Sequence, residues 1–187
     1  QLCLMTAQIA NGGFEIKPRI IFDKNKNDLK DYIKYKKENP YKQLPAELAF
    51  NNFNLKPLFD DQNNINIVKD AMFSSSNEPG GTSYRHRMEN PKFTFAGKTG
   101  SSQIKRFTEA QREAEVKQID LNYKDRDHAL FVAFAPYTDP KYAISVVVEH
   151  GGSGGSAAAP IAKKVIKKVL ERHHLRKEIN YSNGDSV

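Results

Sequence analysis

Phe93-Thr94-Phe95-Ala96-Gly97-Lys98-Thr99-Gly100-Ser101-Ser102-Gln103 begins as an alternating apolar segment after Pro91 and ends in small polar residues gathered round one lysine. Alternation at period two predicts a strand, and the change of composition along it predicts that its far half faces a binding site rather than a core. Glycine inside a strand weakens it and often marks a close approach by a ligand or another backbone. Here Gly97 and Gly100 flank a cation and a hydroxyl. Such a strand is suited to receive an anion beside its edge.

Gly-Lys-Thr also occurs in phosphate-cradling P-loops. Those require a glycine five residues before the Gly-Lys pair and a helix after it, because backbone N–H groups curl round the phosphates. That position is Lys92, and strand-like residues lead directly into Gly97, so the P-loop reading fails on both counts.

Composition bounds the remaining possibilities. A chain of 187 residues is one domain or most of one, and 39% hydrophobic content builds a core, though a lean one. The longest apolar run, around residues 143–148, is far short of the roughly 20 residues a membrane span needs. No signal peptide opens the chain, so any membrane anchor is expected outside it. The net charge of +7 would suit nucleic acid, an acidic wall polymer or an anionic membrane surface. Yet the lysines of 24–42 and 105–127 are interleaved with Asp, Glu and Asn, and no helix-turn-helix, zinc or aromatic-stacking signature accompanies them. Solvated loops are expected, and no nucleic-acid partner. The single Cys3 excludes an internal disulfide and, near Met5 and Ile9, is expected to pack as a small apolar group. His86, His128, His150, His173 and His174 lack the paired spacing of a zinc site, so no metal is expected.

Taken in order, the chain opens on a helix. Leu2, Met5 and Ile9 recur at helical spacing and Asn11-Gly12-Gly13 forms a C-terminal cap. No capping residue precedes Gln1, which makes a start further upstream the expectation. Phe14, Ile16 and the Pro18-Arg19-Ile20-Ile21 segment read as a short strand or extended piece. Residues 23–43 turn to Lys, Asn, Asp and Tyr, with Leu29, Tyr32 and Ile33 hinting at one helical turn, and are expected to be a surface insertion. Ile65, Val68, Ala71 and Met72 predict a second helix, capped by Asn63 or Asn64 and stopped before Pro79-Gly80-Gly81. Thr82 begins a turn leading to the Lys98 strand. Residues 105–127 are a charged connection near the mouth of the site, with Ala110, Ala114 and Val116 too sparse for a helix. Residues 130–135 and 142–148, separated by Pro136-Tyr137-Thr138-Asp139-Pro140, read as an antiparallel hairpin. Residues 151–156 fit a close-packed turn. Residues 157–172 predict a helix, with Pro160 in its first turn and Ile161, Val165, Ile166, Val169 and Leu170 as its apolar stripe; 173–187 are expected to be a flexible tail.

Five stretches together carry a family resemblance: LMTAQIANGG from Leu4, PGGT from Pro79, AGKTGSSQ from Ala96, DHALFVAFAP from Asp127 and YAISVVVEHGGSGGSAAAP from Tyr142. In this order they resemble the C-terminal part of the transpeptidase domain of class B penicillin-binding proteins, of the penicillin-binding protein 2 type that serves cell elongation. Lys98-Thr99-Gly100 matches that superfamily's Lys-Thr-Gly motif. The resemblance implies an α+β fold, an antiparallel sheet flanked by helices as in serine β-lactamases and transpeptidases, present here as a partial domain over residues 1–172.

It also implies acyl transfer through a serine. A serine in a Ser-x-x-Lys element attacks the penultimate D-alanine carbonyl of a peptidoglycan stem peptide, D-alanine leaves, and an amine on a neighbouring stem resolves the acyl-enzyme. The covalent intermediate divides one hard exchange into two easier steps. β-Lactams mimic the D-alanyl-D-alanine end. Lys98, Thr99, Gly100 and Ser101 are the implied substrate-binding residues. An ammonium beside hydroxyls complements a carboxylate, Lys98 raises the positive potential near the serine of the second motif, and the Ser101 backbone N–H is one of two oxyanion donors. A surface lysine on an edge strand is the plainer account of Lys98, but the flanking glycines and surrounding match favour binding.

Ser102-Gln103-Ile104-Lys105 has Ser-x-x-Lys spacing, but on a strand positions three apart point to opposite faces, whereas the mechanism needs one helical turn. Ser75-Ser76-Asn77 matches the Ser-x-Asn second motif but sits after the place where that motif belongs. Both are read as coincidences. The nucleophile and second motif are therefore expected upstream of Gln1, and these residues alone are expected not to turn over. The resemblance implies no cofactor, a domain on the periplasmic side of the inner membrane, and partnership with a membrane glycan polymerase and other elongation proteins. The alternatives are a catalytically silent sensor of the same fold, and a β-lactamase or carboxypeptidase.

Overall fold

A computed structural model describes residues 1–18, 38, 56–106, 109 and 117–182, with the side chains of 62 and 174–182 left aside. The three sheet strands are β1 (Ala96–Ser102), β2 (His128–Ala135) and β3 (Tyr142–Val148), hydrogen-bonded antiparallel in the order β1-β2-β3. Among the described residues the helices that flank them are α1 (Leu2–Ala10), α2 (Gln62–Asn77) and α3 (Ala159–Ser182).

β2 is the central strand, and its composition follows from that place. With one face fully buried and the other half-buried, it reads as a nearly continuous apolar run. Phe131, Ala133 and Ala135 point to one side, where with Phe95 they meet Ala158, Ala159, Ala162, Ile166 and Leu170 of the last helical segment. Phe134 points to the other side with Ala96, against Ala10 of α1 and Met72 of α2. The ring of Phe131 meets that of Phe95 edge-on at 6.0 Å. Each such ring, fully withdrawn from water, contributes about 1.5–3 kcal/mol. The register sets Lys98 opposite Val132, Thr99 opposite Phe131 and Ser101 opposite Ala129. In the β2–β3 turn, Tyr137 donates its hydroxyl hydrogen bond to Asp70 of α2 and packs on Phe73 at 4.6 Å. Burial, then that hydrogen bond and the carboxylate charge, push the Tyr137 hydroxyl up to about 12.

The expected strand, hairpin and sheet-covering helix are all present, but Ile161 and Val165 of the helix's expected apolar stripe are exposed, and Ala162 with Ile166 and Leu170 makes the buried face. Several finer expectations are corrected. α2 is capped by Asp61, whose carboxylate accepts from the Asn63 N–H at 2.8 Å, rather than by Asn63 or Asn64. Within α1 the buried residues are Thr6 and Ala10, while Leu2, Met5 and Cys3 are exposed. The helix therefore rests on its small side, and Thr6 is accommodated because its hydroxyl donates to Leu2 O at 2.8 Å. Cys3 is not packed as a core group. α3 runs past Arg172 to Ser182, so the expected tail begins as helix. Phe14 makes an isolated antiparallel bridge to Pro57. Residues 19–21, the 23–43 insertion apart from residue 38, and Ala110, Ala114 and Val116 lie outside the described residues. Within the charged connection, Gln118–Asp120 and Tyr123–Asp125 form single 3₁₀ turns.

Candidate active-site edge

β1 changes character along its length: Ala96 and Gly97 are buried, Lys98, Ser101 and Ser102 are exposed, and Thr99 and Gly100 lie between. Successive side chains alternate between faces, so Thr99 and Ser101 look toward the π-helical turn Gly154–Ala158 that precedes α3. Its neighbour Gly152 lies close to Ser101, with the Ser101 hydroxyl 3.5 Å from Gly152 O.

The backbone of β1 has one side on β2 and, among the described residues, no strand on the other. Gly97 O accepts from the Ser76 hydroxyl at 3.1 Å, and Thr99 O accepts from Lys98 Nζ at 3.0 Å. Neither carbonyl is therefore turned toward β2. In an antiparallel ladder the N–H and C=O of one residue point the same way and alternate along the strand, so the Ser101 N–H lies on that same open edge. Lys98 Nζ, 3.4 Å from Thr99 Oγ1, stands beside it. One edge thus brings together an ammonium, a hydroxyl and a backbone donor that no strand among the described residues takes up.

The hydroxyl of Thr99 has a partner absent from the motif. Thr82 Oγ1 lies 3.0 Å from it, and Ser75 Oγ lies 3.2 Å from Thr82 Oγ1. Behind these, Ser76 is fully buried and joins Ser83 Oγ to Gly97 O, while Asn77 Nδ2 donates to Phe95 O at 2.9 Å. Ser76 and Asn77 thus tie the end of α2 to β1, an anchoring use of the Ser-x-Asn look-alike. The Ser-x-x-Lys look-alike is likewise engaged elsewhere: Ser102 ends β1, and Lys105 Nζ pairs with Asp125 Oδ2 at 3.0 Å.

The glycines do different work from that expected. A Cβ on Gly97 would lie 2.5 Å from the Phe131 ring, so this glycine makes room for the core rather than for a ligand. At Gly100 a Cβ would make an ordinary 3.4 Å contact with Leu130. The close approach to Gly100 comes from the turn: a Cβ on Gly154 would fall 2.3 Å from Leu130 O and 2.5 Å from Gly100 O. At Gly155 it would fall 3.0 Å from Thr82 O.

His86 and Arg85 hold the outer side of this turn. Arg85 Nη2 donates to Gly155 O at 3.1 Å. His86 Nε2 is 2.9 Å from the same carbonyl and 3.0 Å from the Arg85 Nε–H. A neutral Nε2 accepts from Arg85 or, in the other tautomer, donates to Gly155, but never both. Burial holds His86 below its ordinary value; the Gly155 carbonyl works in the opposite direction, and the charges of Arg85 and Lys163 lower it further. His128 and His150 form a separate contact, the His150 N–H donating to His128 Nδ1 at 3.0 Å. Among the described residues no group of three or more His, Cys, Asp or Glu could hold a metal ion, and no helix is long and apolar enough to cross a membrane.

Sequence reading brings out the Lys98–Ser101 segment and misses Thr82, Ser75, Gly154 and the Arg85–His86 pair. Thr82 lies inside PGGT, but its contact spans 17 residues and leaves no periodic trace.

The chain is similar to the peptidoglycan D,D-transpeptidase MrdA of Salmonella typhimurium, 38% identical over 105 residues that make up 56% of this chain and 16% of that protein. The MrdA of Haemophilus influenzae is 34% identical over 105 residues, with the same shares covered. The chain therefore spans about one-sixth of the length of these relatives. Among solved structures, Pseudomonas aeruginosa penicillin-binding protein 2 in complex with WCK 5153 matches at a TM-score of 0.53 and 26% identity, over 88% of this chain and 27% of that one. The Helicobacter pylori penicillin-binding protein 2 in complex with MreC matches at 0.50 and 30%, over 64% and 20%. With residues 1–167 matched by the family model for the penicillin binding protein transpeptidase domain, the chain belongs to that family.

Proposed function

We propose that this chain supplies the substrate-binding edge of a peptidoglycan D,D-transpeptidase that works through a serine acyl-enzyme and is acylated by penicillin. The observation that carries the reading is the open edge of β1, with Lys98 Nζ, Thr99 Oγ1 and the Ser101 N–H side by side. The ammonium and hydroxyl would take the carboxylate of the D-alanyl-D-alanine end, since charge-assisted hydrogen bonds favour an anion there. The Ser101 N–H would then donate to the carbonyl oxygen as it becomes an oxyanion. Loss of one such donor typically costs on the order of 100- to 1,000-fold in rate.

The nucleophile is a serine of a Ser-x-x-Lys helix in sequence upstream of Gln1, which attacks the penultimate D-alanine carbonyl and releases D-alanine. An amine of a neighbouring stem peptide then resolves the acyl-enzyme. No cofactor enters this scheme. In this reading the protein works at the periplasmic face of the inner membrane with a glycan polymerase and other elongation proteins; the Helicobacter relative's complex with MreC supports only the narrower point that such a protein has a protein partner.

Intact mass spectrometry after exposure to excess benzylpenicillin tests this, using the 187 residues and the same protein extended upstream through a Ser-x-x-Lys helix. A stoichiometric adduct on the extended protein alone is expected. An adduct on the 187 residues would move the nucleophile into this chain, with Ser102 first to be mutated. No adduct on either would overturn the reading in favour of a silent domain.

A further inference from the structure

We propose that Thr82 is a positioning residue whose hydroxyl sets the Thr99 hydroxyl for the substrate carboxylate, an inference that rests on the transpeptidase reading and adds a residue to it. Ser75 Oγ, Thr82 Oγ1 and Thr99 Oγ1 follow one another at 3.2 and 3.0 Å, and Lys98 Nζ closes the row 3.4 Å from Thr99 Oγ1. Each hydroxyl has one proton to give and lone pairs to receive. With an anion bound at Thr99 the protons have one consistent order. Ser75 donates to Thr82, Thr82 donates to Thr99, and Thr99 keeps its own proton for the carboxylate. Linked hydrogen bonds of this kind polarise one another, by perhaps 10–30% per bond.

Thr82 can act in this way because its backbone is fixed independently of its side chain. On one side Gly81 N donates to Glu78 O at 3.0 Å, and on the other Ser83 N donates to Ser75 O at 3.1 Å. A Cβ at Gly81 would lie 2.4 Å from Ser75 O, so the loop sits directly on the end of α2. Ser76 then bonds both Ser83 and Gly97 O. The same network that anchors β1 thus presents the Thr82 hydroxyl to it. Thr82 is itself exposed, so removing its hydroxyl leaves the core untouched.

The test is the second-order rate of acylation by benzylpenicillin in the upstream-extended protein, for the parent, Thr82→Val, Thr82→Ser, Thr99→Val and the double variant. Thr82→Val should slow acylation about three- to tenfold, the worth of one hydrogen bond, without a change in melting temperature. Thr82→Ser, which keeps the hydroxyl, should recover the parent rate to within about twofold. In the Thr99→Val background Thr82→Val should have no effect, because a positioning residue acts only through the group it positions. Parent-like acylation of Thr82→Val, failure of Thr82→Ser to restore the rate, or an equal effect of Thr82→Val with and without Thr99 would each overturn the inference. Failure of the transpeptidase reading itself shows differently: neither the parent protein nor any variant is acylated, and the Thr82 inference falls with it.

Discussion

Replacing Gly154 by alanine tests whether the turn before α3 is seated on β1 as closely as the geometry requires. The added Cβ would fall 2.3 Å from Leu130 O, 2.5 Å from Gly100 O and 2.9 Å from Gly100 N. A carbon and a carbonyl oxygen normally approach to about 3.3–3.6 Å, so the methyl overlaps by about 1 Å with backbone atoms that no rotamer change can move. Either the turn rises from the sheet or β1 and β2 separate. Overpacking of this kind costs about 1–3 kcal/mol, which for a domain of this size lowers the Tm by about 3–10 °C. Acylation should fall as well, because Gly155 in this turn lies against Thr82 and Thr99, and Gly152 just before it lies against Ser101. The assay is thermal unfolding of the upstream-extended protein followed by its benzylpenicillin acylation rate. Gly100→Ala is the control for stability: its Cβ makes an ordinary 3.4 Å contact, so the Tm should stay within about 2 °C. A Gly154→Ala protein with parent Tm and parent acylation would refute the close seating.

Lys98→Met should leave the Tm unchanged, since the side chain is exposed, and slow acylation about 10- to 100-fold through loss of a charge-assisted hydrogen bond; an unchanged rate would count against Lys98 as the carboxylate partner. Asp61→Ala should destabilise α2 by about 0.5–2 kcal/mol, read as a lower denaturation midpoint, with Asn63→Ala far milder. His86 gives a pH dependence. Its folded pKa lies below the ordinary 6.5, so on acidification the unfolded chain takes up the proton first and stability falls as pH drops below about 6.5. His86→Gln should therefore lose less Tm between pH 7.5 and pH 5.5 than the parent (values chosen to span about one unit either side of 6.5), and an identical loss would contradict the assignment.

What the sequence makes legible here is what repeats or alternates. β2 and β3 declare themselves as apolar, β-branched and aromatic runs broken by Pro136 and Pro140, and their antiparallel pairing follows from the short proline-bounded turn between them, whereas the register is seen only in the fold. The polar half of β1 is visible because Lys98 to Ser102 could not fill a core. The rest depends on which groups the fold brings close. Asp60, Asp61, Asn63 and Asn64 are all competent caps, and only the local chain path selects Asp61. Leu2, Met5 and Ile9 have helical spacing, yet Leu2 and Met5 are exposed, and α1 settles on Thr6 and Ala10 with Ile9 half-buried beside them. α3 continues past Arg172 because 173–182 holds no proline or glycine and several good helix formers, although its apolar stripe has ended. The role of a glycine was legible only as a role: Gly97 yields to Phe131, and the residue that must be glycine against Gly100 is Gly154, more than fifty residues away.

The most direct measurement is a crystal structure of the penicillin acyl-enzyme of the upstream-extended protein. The account predicts the acyl carbonyl oxygen about 2.7–3.1 Å from the Ser101 N, with the ligand carboxylate hydrogen-bonded to Thr99 Oγ1 beside Lys98 Nζ. An acyl group whose carbonyl and carboxylate both lie away from the open edge of β1 would contradict it.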